Sequence, residues 1–296
     1  MNLTPDNMRN LFVAFNTYLQ RGLGGGWDGW KNFCSVITSK TLIEKYPLTV
    51  IKGAMREWVG ERKLNELEGK TFEVMNRDFE HTESVSRNDI EDDNIGFYEV
   101  LFTEMGISAA SLWPQLAADA LTGTQKWADG KNFFTAERKI GKAVINNIVS
   151  GALSVESYET ARSQMMSFLR PDGKPLGLVP DTLMVGPANE TAANKILKAE
   201  NILENGAAVS NTHKDECKVI VNPFLVGDHA GKWYLMTTAR GVKPIVIQQR
   251  KVGTLQRWDK ETDTCVKEHN RCDYGLHYRG AAALIAPQLI IGGNLG

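Results

Sequence analysis

Between Glu57 and Ser84 the chain carries a run that limits what the whole can fold into. Leu64, Leu67, Phe72 and Val74 are apolar, but Glu61, Arg62, Lys63, Glu66, Glu73, Arg77 and Asp78 surround them. Glu68-Gly69-Lys70 reads as a tight turn between two strand-like halves. A hairpin this polar cannot supply a core of its own, and an isolated two-stranded hairpin is only marginally stable in water. At roughly 3.3 Å per residue, strands of about a dozen residues reach ~40 Å. An ordinary surface hairpin accounts for the polarity but not for the length. The run is expected to lie on something else, with a neighbouring subunit as the support.

The remainder has material for a body. Of 296 residues, 42% are hydrophobic and 23% charged, which is globular and excludes a disordered or collagen-like chain. That length suits one large domain or two ordinary ones, with no need of a disulfide or metal staple. The formal charge of -1 excludes a strongly basic nucleic-acid binder and leaves room only for a local basic face. No run approaches the roughly 18 apolar residues of a membrane span; the richest, Ala281 to Ile291, is broken by Pro287 and Gln288. Asp6 lies near the start and no basic-then-apolar signal follows. Four scattered Cys do not make a disulfide framework, so a reducing cytoplasm is expected.

Helices fill the first two thirds. Thr4 and Pro5 suit the start of a helix. Met8, Leu11, Phe12, Phe15, Tyr18 and Leu19 form one apolar stripe on it. Gly22 to Gly26 reads as a flexible break, which makes the segment a detachable arm; a terminal helix packed on its own core is the competing reading. Trp27, Trp30 and Phe33 follow. Ser86 and Asp89 stand at capping-box spacing, which places Glu91, Asp92 and Asp93 near a helix N-terminus. Ile95, Tyr98, Phe102, Met105, Ala109 and Leu112 continue at helical spacing, and Pro114 is expected to kink or divide that long helix. A further helix is expected over 155–169, with Tyr158, Met165, Phe168 and Leu169. A dense turn follows at 170–175, then a short strand at Leu183-Met184-Val185 and a helix over 187–198. Strands are expected over 217–225, 233–237, 244–249, 254–258, 275–284 and 288–291. Helices followed by strands argue for α+β and against a doubly wound sheet.

No chemistry stands out. Gly22, Gly24, Gly25 and Gly26 follow no strand and lack phosphate-loop spacing. Cys265, His269, Cys272 and His277, with His213 and Cys217 upstream, are zinc-ligating types, but their spacing is not a finger's and no CxxC occurs. Neither a Gly-x-Ser-x-Gly elbow nor HExxH is present. No catalytic residue, cofactor or metal is expected.

Three runs in order carry a resemblance: Glu57-Trp58-Val59-Gly60-Glu61-Arg62, Asn76-Arg77-Asp78-Phe79-Glu80, and Val85 through Gly96. Tyr98, Met105-Gly106, Ala109-Ala110, Asp129-Gly130-Lys131-Asn132-Phe133-Phe134 and the turn Asp172 to Pro180 before Leu183-Met184-Val185 follow. Together they resemble the major head subunit of phage Mu and its prophage relatives, from about Lys31 to the end. Some of that family carry His-Pro after the DGxxFF run, where this chain has Ala136-Glu137-Arg138, and an insertion after that point is shortened or absent here.

The resemblance implies an α+β chain with the Hong Kong 97-type capsid fold. Residues 1–56 would be the N-terminal arm with its lead-in segment, and 57–85 the extended E-loop. A peripheral P-domain, with the spine helix, would cover 86–139 and about 240–278. An axial A-domain would cover about 140–239 and 279–296. It further implies homo-pentamers and homo-hexamers closing an icosahedral shell around double-stranded DNA, held without sequence specificity. Separate scaffold, protease and portal proteins are expected, since the chain opens at the arm. Assembly would take place in the host cytoplasm and the product would be a virion, with no membrane. Trp58, Phe72 and Met75 are expected as apolar E-loop anchors, with Arg62, Lys63 and Arg77 as charged partners at the rim. Leu11, Phe12 and Phe15 are expected to act in the arm. An encapsulin-like compartment of the same fold is the nearest alternative; a soluble metal-dependent hydrolase using Asp92, Asp93 or the Cys/His group is an alternative of another class.

Overall fold

The computed structural model describes residues 3–47, 71–204 and 207–295. The chain begins with helix α1 (Pro5–Leu23), then strands β1 (Cys34–Thr38), β2 (Ile43–Pro47), β3 (Thr71–Met75) and β4 (Arg77–Ser86). Helices α2 (Arg87–Glu91) and α3 (Gly96–Thr122) follow, then β5 (Arg138–Ile140), β6 (Ala143–Ile145) and β7 (Ile148–Val149). Next come α4 (Val155–Met166), β8 (Thr182–Val185), α5 (Glu190–Lys198), β9 (Asn201–Glu204), β10 (Ala207–Ser210) and β11 (Lys218–Val221). The last stretch holds β12 (Trp233–Met236), β13 (Ile245–Lys251), β14 (Gln256–Trp258), α6 (Thr264–His269), β15 (Arg271–Leu284) and β16 (Ile290–Gly293). The mixed α+β order agrees with the sequence reading.

Two five-stranded sheets organise the body. In the first, β15 is central. Antiparallel β4 runs along one edge of it from Arg271 to Gly280. Its other edge holds β13 and then β14, and β1 lies parallel outside β13. The second sheet has the order β11-β8-β12-β16-β7, and β8, β12 and β16 are buried throughout. Such continuous apolar runs are what strands covered on both faces require.

Helix α3, 27 residues and so ~40 Å long, packs on the first sheet through Tyr98, Phe102, Met105, Ala109 and Trp113. Of the two expected effects of Pro114, division does not occur: the helix runs through it, with Trp113 and Leu116 to Ala118 buried on both sides of the proline. Its end is tied to both sheets. The Tyr234 hydroxyl donates to the Leu121 carbonyl (3.0 Å), and the Gln125 side chain donates to the Leu284 carbonyl and accepts from its N–H (2.8 and 3.0 Å).

The detachable-arm expectation does not hold for this subunit: α1 lies along α3 in the same direction. Thr4 caps α1 by accepting from the Asn7 N–H. Leu11, Phe15 and Leu19 are buried, and Phe15 stacks on Phe102 (4.1 Å) with Tyr274 edge-on (5.1 Å). Phe12 is half-buried against Tyr274, with the Arg257 guanidinium 5.0 Å above it. Gly22 is no break either. A Cβ there would stand 2.0 Å from the Thr103 carbonyl oxygen, and one on Gly106 would stand 2.3 Å from the Leu19 carbonyl oxygen. These two glycines form the notch where the helix backbones touch.

The Ser86/Asp89 capping box is not formed: Ser86 makes no side-chain cap bond. The Asp89 carboxylate instead accepts from the Tyr98 hydroxyl (2.7 Å), a tertiary partner that outcompetes the local one. Glu91, Asp92 and Asp93 consequently sit at the end of α2, with Asp93 left-handed (φ 62°), and not at the start of a long helix.

Overpacking a close crossing costs about 1–3 kcal/mol. Gly22→Ala is therefore expected to lower the thermal midpoint by a few degrees, while Gly24→Ala, whose Cβ meets nothing closer than 3.4 Å, leaves it unchanged. Differential scanning calorimetry of the two variants checks this.

Candidate assembly site at the base of the ribbon

Strand β3 pairs antiparallel with β2, Ile43 opposite Met75 and Pro47 opposite Thr71. The expected partner half, the turn at Glu68-Gly69-Lys70, and Trp58, Arg62 and Lys63 lie outside the described residues. Nor does the ribbon run on to Ser84: β4 is bound to β15 along its length and belongs to the body.

What fixes this register is a buried polar relay. The Tyr46 hydroxyl donates to Gln248 Oε1 (2.9 Å), and Gln248 Nε2 donates to Asn76 Oδ1 (2.9 Å). Asn76 Nδ2 donates to Ser39 Oγ (2.7 Å) and to the Thr41 carbonyl (2.9 Å). The Ser39 hydroxyl donates to Glu44 Oε1 (2.8 Å), which also accepts from the Lys40 N–H (3.0 Å). Ser39, Asn76 and Gln248 are all buried, Gln248 completely. Each donor points to the next acceptor and the relay ends on a carboxylate, an alignment in which the bonds reinforce one another. It ties together the end of β1, the turn into β2, the β3–β4 junction and the centre of β13.

The electrostatics follow. Hydrogen bonds from Ser39 and then Lys40 hold the Glu44 carboxyl down at about 2, and burial pushes the Tyr46 phenol up to about 12. The ribbon base thus keeps Glu44 ionised and Tyr46 protonated over the ordinary pH range.

The other expected residues separate into roles. Phe72 is half-buried against the core, opposite Tyr46. Met75 is 58% exposed on the ribbon. Arg77 lies on β4, paired to β15, with its guanidinium 5.4 Å above the Phe79 ring. Leu11, Phe12 and Phe15 serve the α1–α3 packing described above. The roles of Ser39, Asn76 and Gln248 went unrecognised in the sequence: Gln248 follows the apolar run Ile245-Val246-Ile247 and reads as its polar end, although it is buried and paired.

The Cys/His group does not converge. Both ring nitrogens of His213 are taken by carboxylates, Glu159 (2.8 Å) and Glu216 (3.0 Å). Buried Cys217 sits against the Tyr158 hydroxyl (3.2 Å), and Cys265 donates to the Trp258 carbonyl. His277 lies between Asp78 (2.7 Å) and Lys251 (2.9 Å). Among the described residues no group of three or more His, Cys, Asp or Glu is placed to hold a metal ion. Nor is any helix among them long and apolar enough to cross a membrane.

The family model for the Mu-like prophage major head subunit gpT matches residues 8–152, 145–225 and 226–294. The chain belongs to that family. The Mu-like prophage FluMu major head subunit of Haemophilus influenzae is 25% identical over 94% of this chain and 70% of its own. The major capsid protein of Escherichia phage Mu is 25% identical over 76% of this chain and all of its own. Among solved structures, the procapsid of bacteriophage JBD30 matches with a TM-score of 0.60 at 22% identity, over 98% of this chain and 75% of that one. The fold is the Hong Kong 97-type capsid fold, and the family is structural, with no support for a hydrolase.

Within this head subunit the DGxxFF run is a turn, not a chemical site. Gly130 is left-handed (φ 79°) and Phe133 is buried. Arg138, 1% exposed, holds the turn closed: it pairs with Asp129 (2.8 Å), donates to the carbonyls of Phe133 and Asn132, and stacks 4.6 Å over Trp127.

Removing one member of a buried network leaves its neighbour unpaired, at about 1–3 kcal/mol. Asn76→Ala is expected to lose that much in urea unfolding, and Arg138→Ala about 3–5 kcal/mol because it strands a partly buried carboxylate. Glu44 has its own test. A folded pKa depressed from 4.5 to about 2 contributes stability that is complete above about 4.5 and lost as pH falls toward 2. Carboxyl NMR of Glu44 should show that midpoint; an ordinary value near 4.5 would mean the relay does not end there.

Proposed function

We propose that this subunit builds a closed icosahedral head as homo-pentamers and homo-hexamers. In this reading residues 43–75 form the E-loop, which each copy lends to a neighbour. The observation that carries it is the ribbon base: β2 and β3 pair with each other, register-locked by the buried Asn76–Gln248 amides, with Val74, Phe72 and Tyr46 rooting the pair on the core. A loop that served only its own subunit would need no such clamp at its root.

The P-domain then comprises the first sheet with α3, and the A-domain the second sheet with α4 and α5. The return to the A-domain falls after Leu284 and not at 278, because β15 is one unbroken strand. Scaffold and portal proteins of the same phage are the assembly partners, and assembly takes place in the host cytoplasm. Double-stranded DNA is the cargo, held through phosphate charge without base readout. With a formal charge of -1, any such attraction is local. Shells of this kind gain stability from many modest contacts repeated by symmetry.

Because Pro47 and Thr71 face each other in register, residues 48–70 can be replaced by an Asn-Gly hairpin turn. The shortened protein is expected to keep its thermal midpoint and to form no shells under negative-stain microscopy, where the full chain gives closed particles. Normal shells from the shortened protein would sink the E-loop assignment.

A further inference from the structure

Residues 211–217 carry the chain from the β9–β10 hairpin to β11, the edge strand of the second sheet. Hydrogen bonds hold this segment to α5. The Asp215 N–H donates to the Leu197 carbonyl (2.8 Å), and the Asn211 side chain donates to the carbonyls of Ile196 and Ala199 (2.8 and 2.9 Å). Its hold on α4 differs, because ionisable side chains make it. His213 lies at the centre, 12% exposed, with the Tyr158 ring in a T-shaped contact at 5.4 Å. Its Nε2 stands 2.8 Å from Glu159 on α4, and its Nδ1 3.0 Å from Glu216. Glu216 in turn receives the Arg162 guanidinium (3.1 Å) and the Tyr158 hydroxyl (3.3 Å), both from α4.

A carboxylate only accepts, and a neutral imidazole has a single N–H. Carboxylates on both ring nitrogens therefore demand a ring with two protons, unless a carboxyl holds the extra one. Glu216 is surrounded by donors, and Glu159, 54% exposed, has water to solvate its charge. Burial disfavours the charged ring, but the bonds to Glu159 and then Glu216 outweigh it and hold His213 above its ordinary 6.5. Burial pushes the neighbouring Tyr158 phenol and Cys217 thiol up, away from that range. The other charges on these elements are Arg162 on α4, Lys195 and Lys198 in the last turn of α5, and Asp215 and Lys214 on the segment, Lys214 being paired to Glu200 (3.1 Å).

We propose that His213 is a pH-operated clamp: its doubly bonded imidazolium fastens the 211–217 segment to α4, and loss of the ring proton unfastens it. The proton leaves to water through a groove of about 340 Å³ lined by His213, Glu159, Arg162 and Met166. One N–H remains, so one carboxylate keeps its bond and the other faces a ring lone pair. The root of the β9–β10 hairpin then loosens. A histidine whose midpoint is raised by folding contributes stability that is complete below 6.5 and lost as pH rises through the raised midpoint. The clamp belongs to the single subunit and does not depend on the assembly reading.

Deuterium exchange at the histidine C2 position, read by mass spectrometry on the full chain, gives the His213 midpoint. It is expected above 6.5. Glu159→Gln, at a half-exposed position, is expected to lower it by about one unit. Amide exchange of the 211–217 peptide, corrected for its intrinsic pH dependence, gives a second measurement. Protection is expected to fall as pH rises, by roughly tenfold for each unit the midpoint stands above its ordinary value, and to stay flat in His213→Gln. A midpoint at or below 6.5, or one that Glu159→Gln leaves in place, overturns the clamp. So does wild-type protection no more pH-dependent than that of His213→Gln. The midpoint alone decides the matter if His213→Gln does not fold.

Discussion

The whole subunit depends on the hydrogen-bond ladders of β15. A strand in the middle of a sheet pairs its backbone groups on its edges, and this one, 14 residues long, does so with three different partners: β4 over 271–280 on one side, β14 over 273–275 and β13 over 279–284 on the other. Its partners come from distant parts of the chain: β4 from before the spine helix, β13 and β14 from after the second sheet. Once β15 is in place, α3 has a surface to cross and α1 has α3 to lie on. Close approach is required at the crossing: a Cβ on Gly280 would stand 2.2 Å from the Gln248 carbonyl oxygen and 2.7 Å from the Trp113 ring. The same strand sets the second sheet, since the chain leaves Leu284 clamped by Gln125 and turns at Pro287 directly into β16.

Much of this was legible because it is local. The capped start of α1, the span of α4, the turn before β8 and the apolar runs of β8, β12, β13 and β16 all announce themselves over a few residues. What was missed is non-local. β1 and β2 read as a mixed stretch because their strand character comes from β13 and β3, far along the chain. The pairing of β3 with β2 was missed because its partner lies well upstream; Glu68-Gly69-Lys70 is outside the described residues. The actual register is fixed by an amide on Asn76 meeting an amide on Gln248. Asp89 shows the same competition at smaller scale: its capping role was open, and the Tyr98 hydroxyl took the carboxylate.

The residues that carry the family resemblance prove to be structural. Gly106 is half of the notch between α1 and α3. Asp129, Gly130 and Phe133 make a turn closed by Arg138, and Gly173 is left-handed (φ 87°) where the 170–175 turn demands it. Asn76 anchors the ribbon. None of these positions gathers nucleophiles, acids or metal ligands, so the motif set constrains shape where an enzyme's would constrain reacting atoms. That is why the sequence could point to an assembly protein while offering no chemistry.

Shape alone does not prevent misassembly, and the edges of the first sheet address that. A sheet with two unguarded edges can stack head to tail without limit, giving filaments where a closed head is needed. Here one edge is dressed with charge: Asp78 on β4 is engaged by His277 and Arg279 of β15, and Glu80, Glu83 and Arg77 line the same strand. A like edge of another copy meeting it would desolvate those charges. Strand β1, by contrast, carries no charged residue. Charge along β4 therefore penalises the pairing of like edges, while the rotation between neighbouring copies decides whether repeated contacts close or run on.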